Sequence, residues 1–352
     1  MSEPALNAPH ELMTTAVPEP ALTDIARLAD DCYGLRGDIT LLGGERDCNA
    51  RIRGDQGDWV LKFINPAEDP LVTGFQTQML LHLERLDRTL PVPKVRVALD
   101  GAVEPVVHLQ GRRLALRCVS YLPGVPQHLA SPSAATMHEL GDTLARLDLA
   151  LVSFHHPGAH RDLLWDIGHA ERVQPYVDCL PDSQRAPIER FMQRFIEQVR
   201  PRLAGLRAQV IHNDLNPHNV MLDSETEPRV AALIDFGDAL HGPLVNELGT
   251  ALAYQVDAQA ADPLWRVAPF LAAYHARLPL REEELALLGD LIVTRMALAI
   301  TIAQWRATLY PGNRDYILRN LPASWRNLQC LLALPDHHLT RQLRAACLGN
   351  TP

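Results

Sequence analysis

The stretch His212-Asn213-Asp214-Leu215-Asn216-Pro217-His218-Asn219, followed by the apolar Val220-Met221-Leu222, decides how the rest of the chain is read. It has the form H-x-D-x-x-x-x-N. Twenty-one residues after Asp214 comes Asp235-Phe236-Gly237, directly after the apolar run Val230 to Ile234. Two such loops, in this order and beside short strands, are what phosphoryl transfer requires. One carboxylate must accept the acceptor hydroxyl's proton and aim its oxygen in line with the phosphorus, a role that suits Asp214. A second carboxylate and an amide oxygen must hold a hard divalent cation against the phosphates, which suits Asp235 and Asn219. Alone, an Asp-Phe-Gly is usually a turn and an Asp near an Asn usually a cap. The two motifs in one order and spacing are not explained that way.

Working outward, Lys62 lies within the strand-like run Trp59-Val60-Leu61-Lys62-Phe63-Ile64. A strand lysine is ordinarily a solvated edge residue. This chain, however, has 31 Arg and only two Lys, Lys62 and Lys94, so it uses Arg wherever a generic positive charge suffices. A Lys flanked by four apolar residues points to a need for a compact point charge, as on a nucleotide phosphate. Upstream, Gly43-Gly44-Glu45-Arg46-Asp47-Cys48-Asn49 forms a turn whose glycines let backbone N–H groups approach phosphate oxygens. Glu45 and Asp47 bring negative charge there, to be offset by Arg46, Asn49 or Mg²⁺.

The organisation is α+β. Residues 1–20, rich in Pro, Ala and Glu, read as a disordered tail. Residues 21–122 form a strand-rich nucleotide-binding lobe: a helix over Ala21 to Tyr33, strands over Ile39 to Leu42, Ala50 to Arg53, Trp59 to Ile64, Val106 to Leu109 and Leu114 to Tyr121, and a helix over Leu71 to Leu86. Residues 123–352 form a helical lobe with helices over Ala134 to Leu151, Pro187 to Leu203, Leu264 to Leu278, Glu282 to Leu309 and Pro322 to Leu334. A ligand cleft between two lobes is the expectation.

Composition sets the partners. With 47% hydrophobic residues the 352-residue chain buries a sizeable core, and a net charge of -9 argues against nucleic acid or an anionic membrane. The apolar stretch Leu291 to Trp305 is interrupted by Arg295 and Gln304, falls short of the roughly 20 residues of a bilayer span, and is read as a buried helix. Six scattered cysteines without a C-x-x-C pair indicate reduced thiols and a cytoplasmic protein.

Lys62, the His212 to Asn219 loop and Asp235 to Asp238 resemble the aminoglycoside phosphotransferase and choline kinase superfamily. Tyr33-Gly34-Leu35, the Gly44 to Asn49 turn, Leu244-Val245-Asn246-Glu247, Arg295 and Tyr316 resemble its hydroxylysine kinase branch and the kinase-like domains fused to class III aminotransferases. The resemblance implies a two-lobed protein-kinase-like fold with a small antiparallel-sheet N-lobe. It makes Asp214 the catalytic base and Asn219 and Asp235 the Mg²⁺ ligands. It places Lys62, Arg46, Asn49, Ser120 and Leu122 at the nucleotide, the last two in a hinge over Val119 to Leu122. Only Ala239 to Pro243 separate Asp238 from the next helix, leaving no long activation segment, so a protein acceptor is not expected.

One departure stands out. The helix after the Lys strand ordinarily supplies a Glu to pair with that Lys, but here it reads Gly74-Phe75-Gln76-Thr77-Gln78, with its first acid at Glu84. Either Gln76 takes over or Glu84 reaches in. The reading is a kinase using ATP or GTP on a small amine-bearing acceptor, foremost 5-hydroxylysine, with an aminoglycoside or homoserine as alternatives. Asp238, Glu247 and Asp257 are its candidate substrate residues. A regulatory pseudokinase that binds nucleotide without turnover is the reading of another class.

Overall fold

The computed structural model describes residues 16–44, 46–226, 228–335 and 337–348. Most of the anticipated tail lies outside the described residues. The chain divides into two compact units. The first runs to Gly124 and also takes in Phe154–Arg161 and Ala231–Ile234, so two later segments join the strand-rich unit.

The first unit holds α1 (Leu22–Tyr33), β1 (Asp38–Leu42), β2 (Cys48–Gly54), β3 (Gly57–Phe63), α2 (Pro70–Leu86), β4 (Val95–Arg96), β5 (Val106–Leu109) and β6 (Arg112–Ser120). Its sheet is antiparallel in the order β1-β2-β3-β6-β4, with β5 on β6. Alternation along the strands sets its two faces. Ala50, Ile52, Leu61, Phe63, Leu116 and Cys118 join Ile25, Leu28 and Tyr33 of α1 in one buried cluster. Lys62, between Leu61 and Phe63, therefore projects from the opposite face, together with its cross-strand partners Asn49 and Arg117. There α2 packs, its Thr73 carbonyl and Gln76 side chain receiving Arg117.

The second unit contains β7 (Val125–Pro126), α3 (Ala134–Leu151), α4 (Asp182–Arg194), α5 (Arg200–Leu203), β8 (Ala208–Ile211), β9 (Val220–Leu222), β10 (Val230–Leu233, largely counted with the first unit), β11 (Leu240–Pro243), α6 (Leu244–Ala253), α7 (Val267–Arg277), α8 (Glu282–Leu309), α9 (Arg314–Leu318), α10 (Leu321–Leu332) and α11 (His338–Cys347). The expected helix from Pro187 to Leu203 starts earlier, at Asp182, and is broken by a wide turn over Phe195–Val199. Pro201 explains the break, since it has no N–H for the carbonyl one turn back. α3 and α7 approach so closely that a Cβ on Gly141 would sit 2.1 Å from the Phe270 carbonyl oxygen. At the centre lies α8, long and apolar enough by length and composition to cross a membrane, but mostly buried within the chain. β8 pairs with β11, which brings the segment that leads into Asp214 beside the segment that follows Asp235.

Candidate active site

The loop after β8 is shaped by its own side chains. Asn213 adopts φ +65°, an uncommon conformation for a residue with a side chain. Two contacts hold it: its N–H donates to Glu247 Oε2 at 3.0 Å and its Nδ2 to the Asp238 carbonyl at 3.2 Å. His212 is fully buried against the Phe236 ring, 4.6 Å between centroids, and its Nδ1 accepts from the Asp214 N–H at 3.2 Å. The histidine thus serves as a post for the loop and is far from solvent.

Both carboxylate oxygens of Asp214 are engaged. Oδ1 receives Arg295 Nη2 at 3.0 Å, and Oδ2 receives Asn216 Nδ2 at 3.0 Å and Asn219 Nδ2 at 2.8 Å. Asn219 Nδ2 also donates to the Asp214 carbonyl at 2.9 Å, so its amide hydrogens point back into the loop and its Oδ1 faces outward as an acceptor. Burial pushes the Asp214 carboxyl up to about 7, against the pull of Arg295, with Asp238 and Asp235 adding to the rise. A carboxyl poised there suits a general base near neutrality.

Asp235 takes φ +62°, ψ +77°, a strained setting for a non-glycine residue, and its exposed side chain accepts from the Gly237 N–H at 3.2 Å. Arg295, rising from the middle of α8, is only 3% exposed. It also donates to the Trp165 carbonyl at 2.9 Å and the Tyr254 hydroxyl at 3.0 Å, and lies over both rings. Asp214, Asn219, Asp235, Asp238, Arg295 and Tyr254 therefore form one electrostatic neighbourhood in the second unit. The sequence singled out Arg295 only as a break in an apolar run and as part of a resemblance, and Tyr254 and Trp165 not at all.

One candidate substrate residue, Glu247, is buried away from any acceptor. Glu247 is fully buried and spends one oxygen on the Asn213 N–H, so it supports the loop rather than meeting an acceptor. Burial raises its carboxyl, as it does that of Asp148 nearby. Asp257 pairs with Arg266 at 3.7 Å and accepts from the Gln259 N–H, and its side chain stays partly exposed.

In the first unit, Lys62 Nζ lies 3.8 Å from Asp47 Oδ2. Asn49, opposite Lys62, donates to the Gly43 carbonyl at 3.4 Å and keeps a buried Oδ1 without a partner. The Arg46 carbonyl accepts from Asn65 Nδ2 at 3.1 Å. Gly44 has no room for a side chain, since a Cβ would lie 2.5 Å from the Asp47 carbonyl oxygen. Glu45 falls outside the described residues. Ser120 closes β6 and accepts from the Lys94 N–H at 2.9 Å, and Leu122 follows, half-buried.

The sequence profile of the phosphotransferase enzyme family matches residues 38–291, from β1 into α8, and takes in Lys62, the His212 to Asn219 loop and Asp235 to Asp238. The chain belongs to this family. Among curated relatives of this phosphotransferase-family chain, hydroxylysine kinase of Mus musculus is 30% identical over 227 residues, 61% of this chain and 60% of that protein. Homoserine kinase of Methylobacillus glycogenes is 31% identical over 208 residues, 58% of this chain and 60% of that protein. The match to each thus spans less than two thirds of the relative's length. Among solved structures, a microcompartment-associated aminopropanol kinase superposes with a TM-score of 0.69 at 18% identity, over 94% of this chain and 100% of the other. An amicoumacin kinase solved with AMP-PNP gives 0.64 at 14% identity, over 89% and 97%. These likenesses establish the protein-kinase-like fold.

Proposed function

We propose that the chain is a small-molecule kinase that transfers the γ-phosphate of ATP or GTP to a hydroxyl of an amino acid or amino alcohol, foremost 5-hydroxylysine. One observation carries the reading. Asn219 turns both its amide hydrogens onto Asp214 and leaves its oxygen free to accept, while Asp235, held in a strained backbone conformation, acts on the same Asp214 carboxylate. That orientation gives the base its hydrogen bonds and leaves a hard oxygen donor beside a carboxylate, which is the donor set Mg²⁺ takes. Among the described residues no three His, Cys, Asp or Glu gather as a metal cluster, as fits an ion whose remaining ligands are phosphates and water. When bound, the ion supplies charge stabilisation for the transferring phosphoryl group.

The chain's own residues do the rest. Asp214 accepts the acceptor's proton while Arg295 and Asn216 fix its plane, and Lys62 provides a point charge for the nucleotide phosphates. Asp238, half-buried and acting on Asp214, is the acid best placed for an acceptor ammonium. The hydroxylysine and homoserine kinase relatives support an amino-acid acceptor with a primary or secondary hydroxyl. Six free cysteines agree with a reducing compartment such as the cytoplasm.

The test is nucleoside diphosphate release from Mg-ATP and Mg-GTP with 5-hydroxylysine, homoserine, 1-amino-2-propanol and kanamycin, beside Asp214→Asn. Release with one acceptor that disappears in the variant establishes the reaction and its substrate class. Nucleotide binding with no release from any acceptor, and no release after Gln76→Glu, would favour the regulatory reading instead.

A further inference from the structure

The acid missing from α2 leaves two tasks open: holding that helix, and holding Lys62. The structure gives them to different residues. Arg117, 6% exposed and directly opposite Lys62, donates Nη2 to the Thr73 carbonyl at 2.7 Å and Nη1 to Gln76 Oε1 at 2.9 Å. It also pairs with Glu104, whose oxygens accept from Thr73 Oγ1 at 3.0 Å and Thr77 Oγ1 at 2.5 Å. This latch ties one face of α2 to β6 without any acid on the helix.

Lys62 meets Asp47, and Asp47 is not a loose surface acid. Its Oδ1 accepts from the Asn65 N–H at 2.9 Å while its Oδ2 faces Lys62. Asn65, 1% exposed, sends Nδ2 to the Arg46 carbonyl at 3.1 Å and takes the Ala67 N–H on its Oδ1 at 3.0 Å. The turn bearing Asp47 is thus pinned to the segment immediately after β3, and the strand that carries the lysine also fixes the acid. A lysine stem has several rotamers to lose, so a fixed carboxylate within 4 Å narrows where its ammonium sits before a phosphate arrives.

We infer that Asp47 is the positioning residue for Lys62, in place of an acid on α2, and that α2 is held separately by the Arg117–Glu104 latch. The inference rests on the assignment of Lys62 to the nucleotide. Its consequence is specific: a shift of α2 leaves the lysine aligned, whereas a shift of the 44–47 turn does not.

The chain's two lysines make this measurable. Lysine labelled with ¹³C at the ε position gives two signals, assigned by Lys94→Arg, and relaxation reports the order of each side chain. In Asp47→Asn, which keeps an acceptor for the Asn65 N–H, Lys62 is expected to loosen to the level of Lys94, and the nucleotide KM to rise about tenfold. Asp47→Glu, which keeps the charge, recovers most of both. Glu104→Gln lowers the melting temperature and leaves Lys62 order unchanged. Unaltered Lys62 order and nucleotide KM in Asp47→Asn would overturn the inference. So would failure of Asp47→Glu to recover either, which would assign the loss to the turn's backbone. Addition of Mg-ATP or Mg-GTP to the unmutated chain separates the two readings: a Lys62 signal that ignores both nucleotides sinks its phosphate role, while the relaxation comparison still decides the Asp47 contact.

Discussion

Replacing Arg295 by Met is the perturbation whose size the structure best defines. The guanidinium donates to Asp214 Oδ1 at 3.0 Å, and the pair is little exposed, at 3% and 20%. With charge centres about 4 Å apart and an effective dielectric near 20, the attraction is about 4 kcal/mol. At 1.36 kcal/mol per pKa unit that is about three units, and water entering the vacated space reduces it to about two. Asp214, pushed up to about 7 with Arg295 in place, then titrates higher still, by roughly that amount. The sign follows from the role: a base works when ionised, so kcat/KM falls as pH drops through its pKa, and raising that pKa moves the acid limb to higher pH. At pH 7 the variant should lose about fiftyfold to a hundredfold in kcat/KM and recover most of it by pH 9.5. Arg295→Lys, which keeps a charge but not the fork to Trp165 and Tyr254, should move the limb by less than about one unit. The assay is a pH profile of diphosphate release from pH 5.5 to 10, with thermal melts to confirm folding. An acid limb that stays put in Arg295→Met, whether or not the plateau drops, would refute the electrostatic account and leave Arg295 a packing residue.

Three further outcomes are expected. Gly44→Ala places a Cβ 2.5 Å from the Asp47 carbonyl oxygen and 2.6 Å from Asn49 Nδ2, so the turn must move; nucleotide KM should rise about tenfold with acceptor KM unchanged in steady-state kinetics. Asp148 is fully buried and its carboxyl is raised, by burial first and by Glu247 next, so the folded state holds more protons than the unfolded chain above pH 3.8. That contribution makes stability fall as pH rises from 3.8 toward the raised value. Asp148→Asn should flatten the melting-temperature profile on that side and raise its neutral end, and an unchanged slope would contradict the buried-acid argument. Asp238→Asn removes a charge that raises Asp214, so the acid limb should move to lower pH, opposite to Arg295→Met. If Asp238 also meets an acceptor ammonium, KM should rise for amine-bearing acceptors and not for their deaminated analogues.

Much of the fold was legible because its signals are local. The helices at Ala134–Leu151 and Glu282–Leu309 and the strands at Val106–Leu109 and Val220–Leu222 match their sequence spacing to the residue. Pro187 misled, because a proline usually opens a helix and here lies inside one that starts at Asp182. At the site, the contact of Asn219 with Asp214 could be read because both lie on the one short loop between β8 and β9. Glu247 was misjudged for the reverse reason. An acid's sequence neighbours do not say whether it faces solvent or a backbone N–H, and here the fold directs it at Asn213, 34 residues away.

The reach of each partner explains what remained hidden. Lys62 finds its acid 15 residues upstream on an adjoining turn, close enough that Asp47 was in view as a charge needing an offset. Asp214 draws its countercharge from Arg295, 81 residues on, across several elements whose packing no spacing rule predicts. Yet the sequence did hold half of that pair. An arginine in the middle of the apolar run Leu291 to Trp305 had to be buried, and a buried guanidinium without a partner costs several kcal/mol. An acid was therefore a fitting partner at that point of the core, and under the proposed function the carboxylate that meets the demand is the base itself. The same contact that makes burial of Arg295 tolerable keeps Asp214 ionisable near neutrality, so stability and base strength rest on one ion pair.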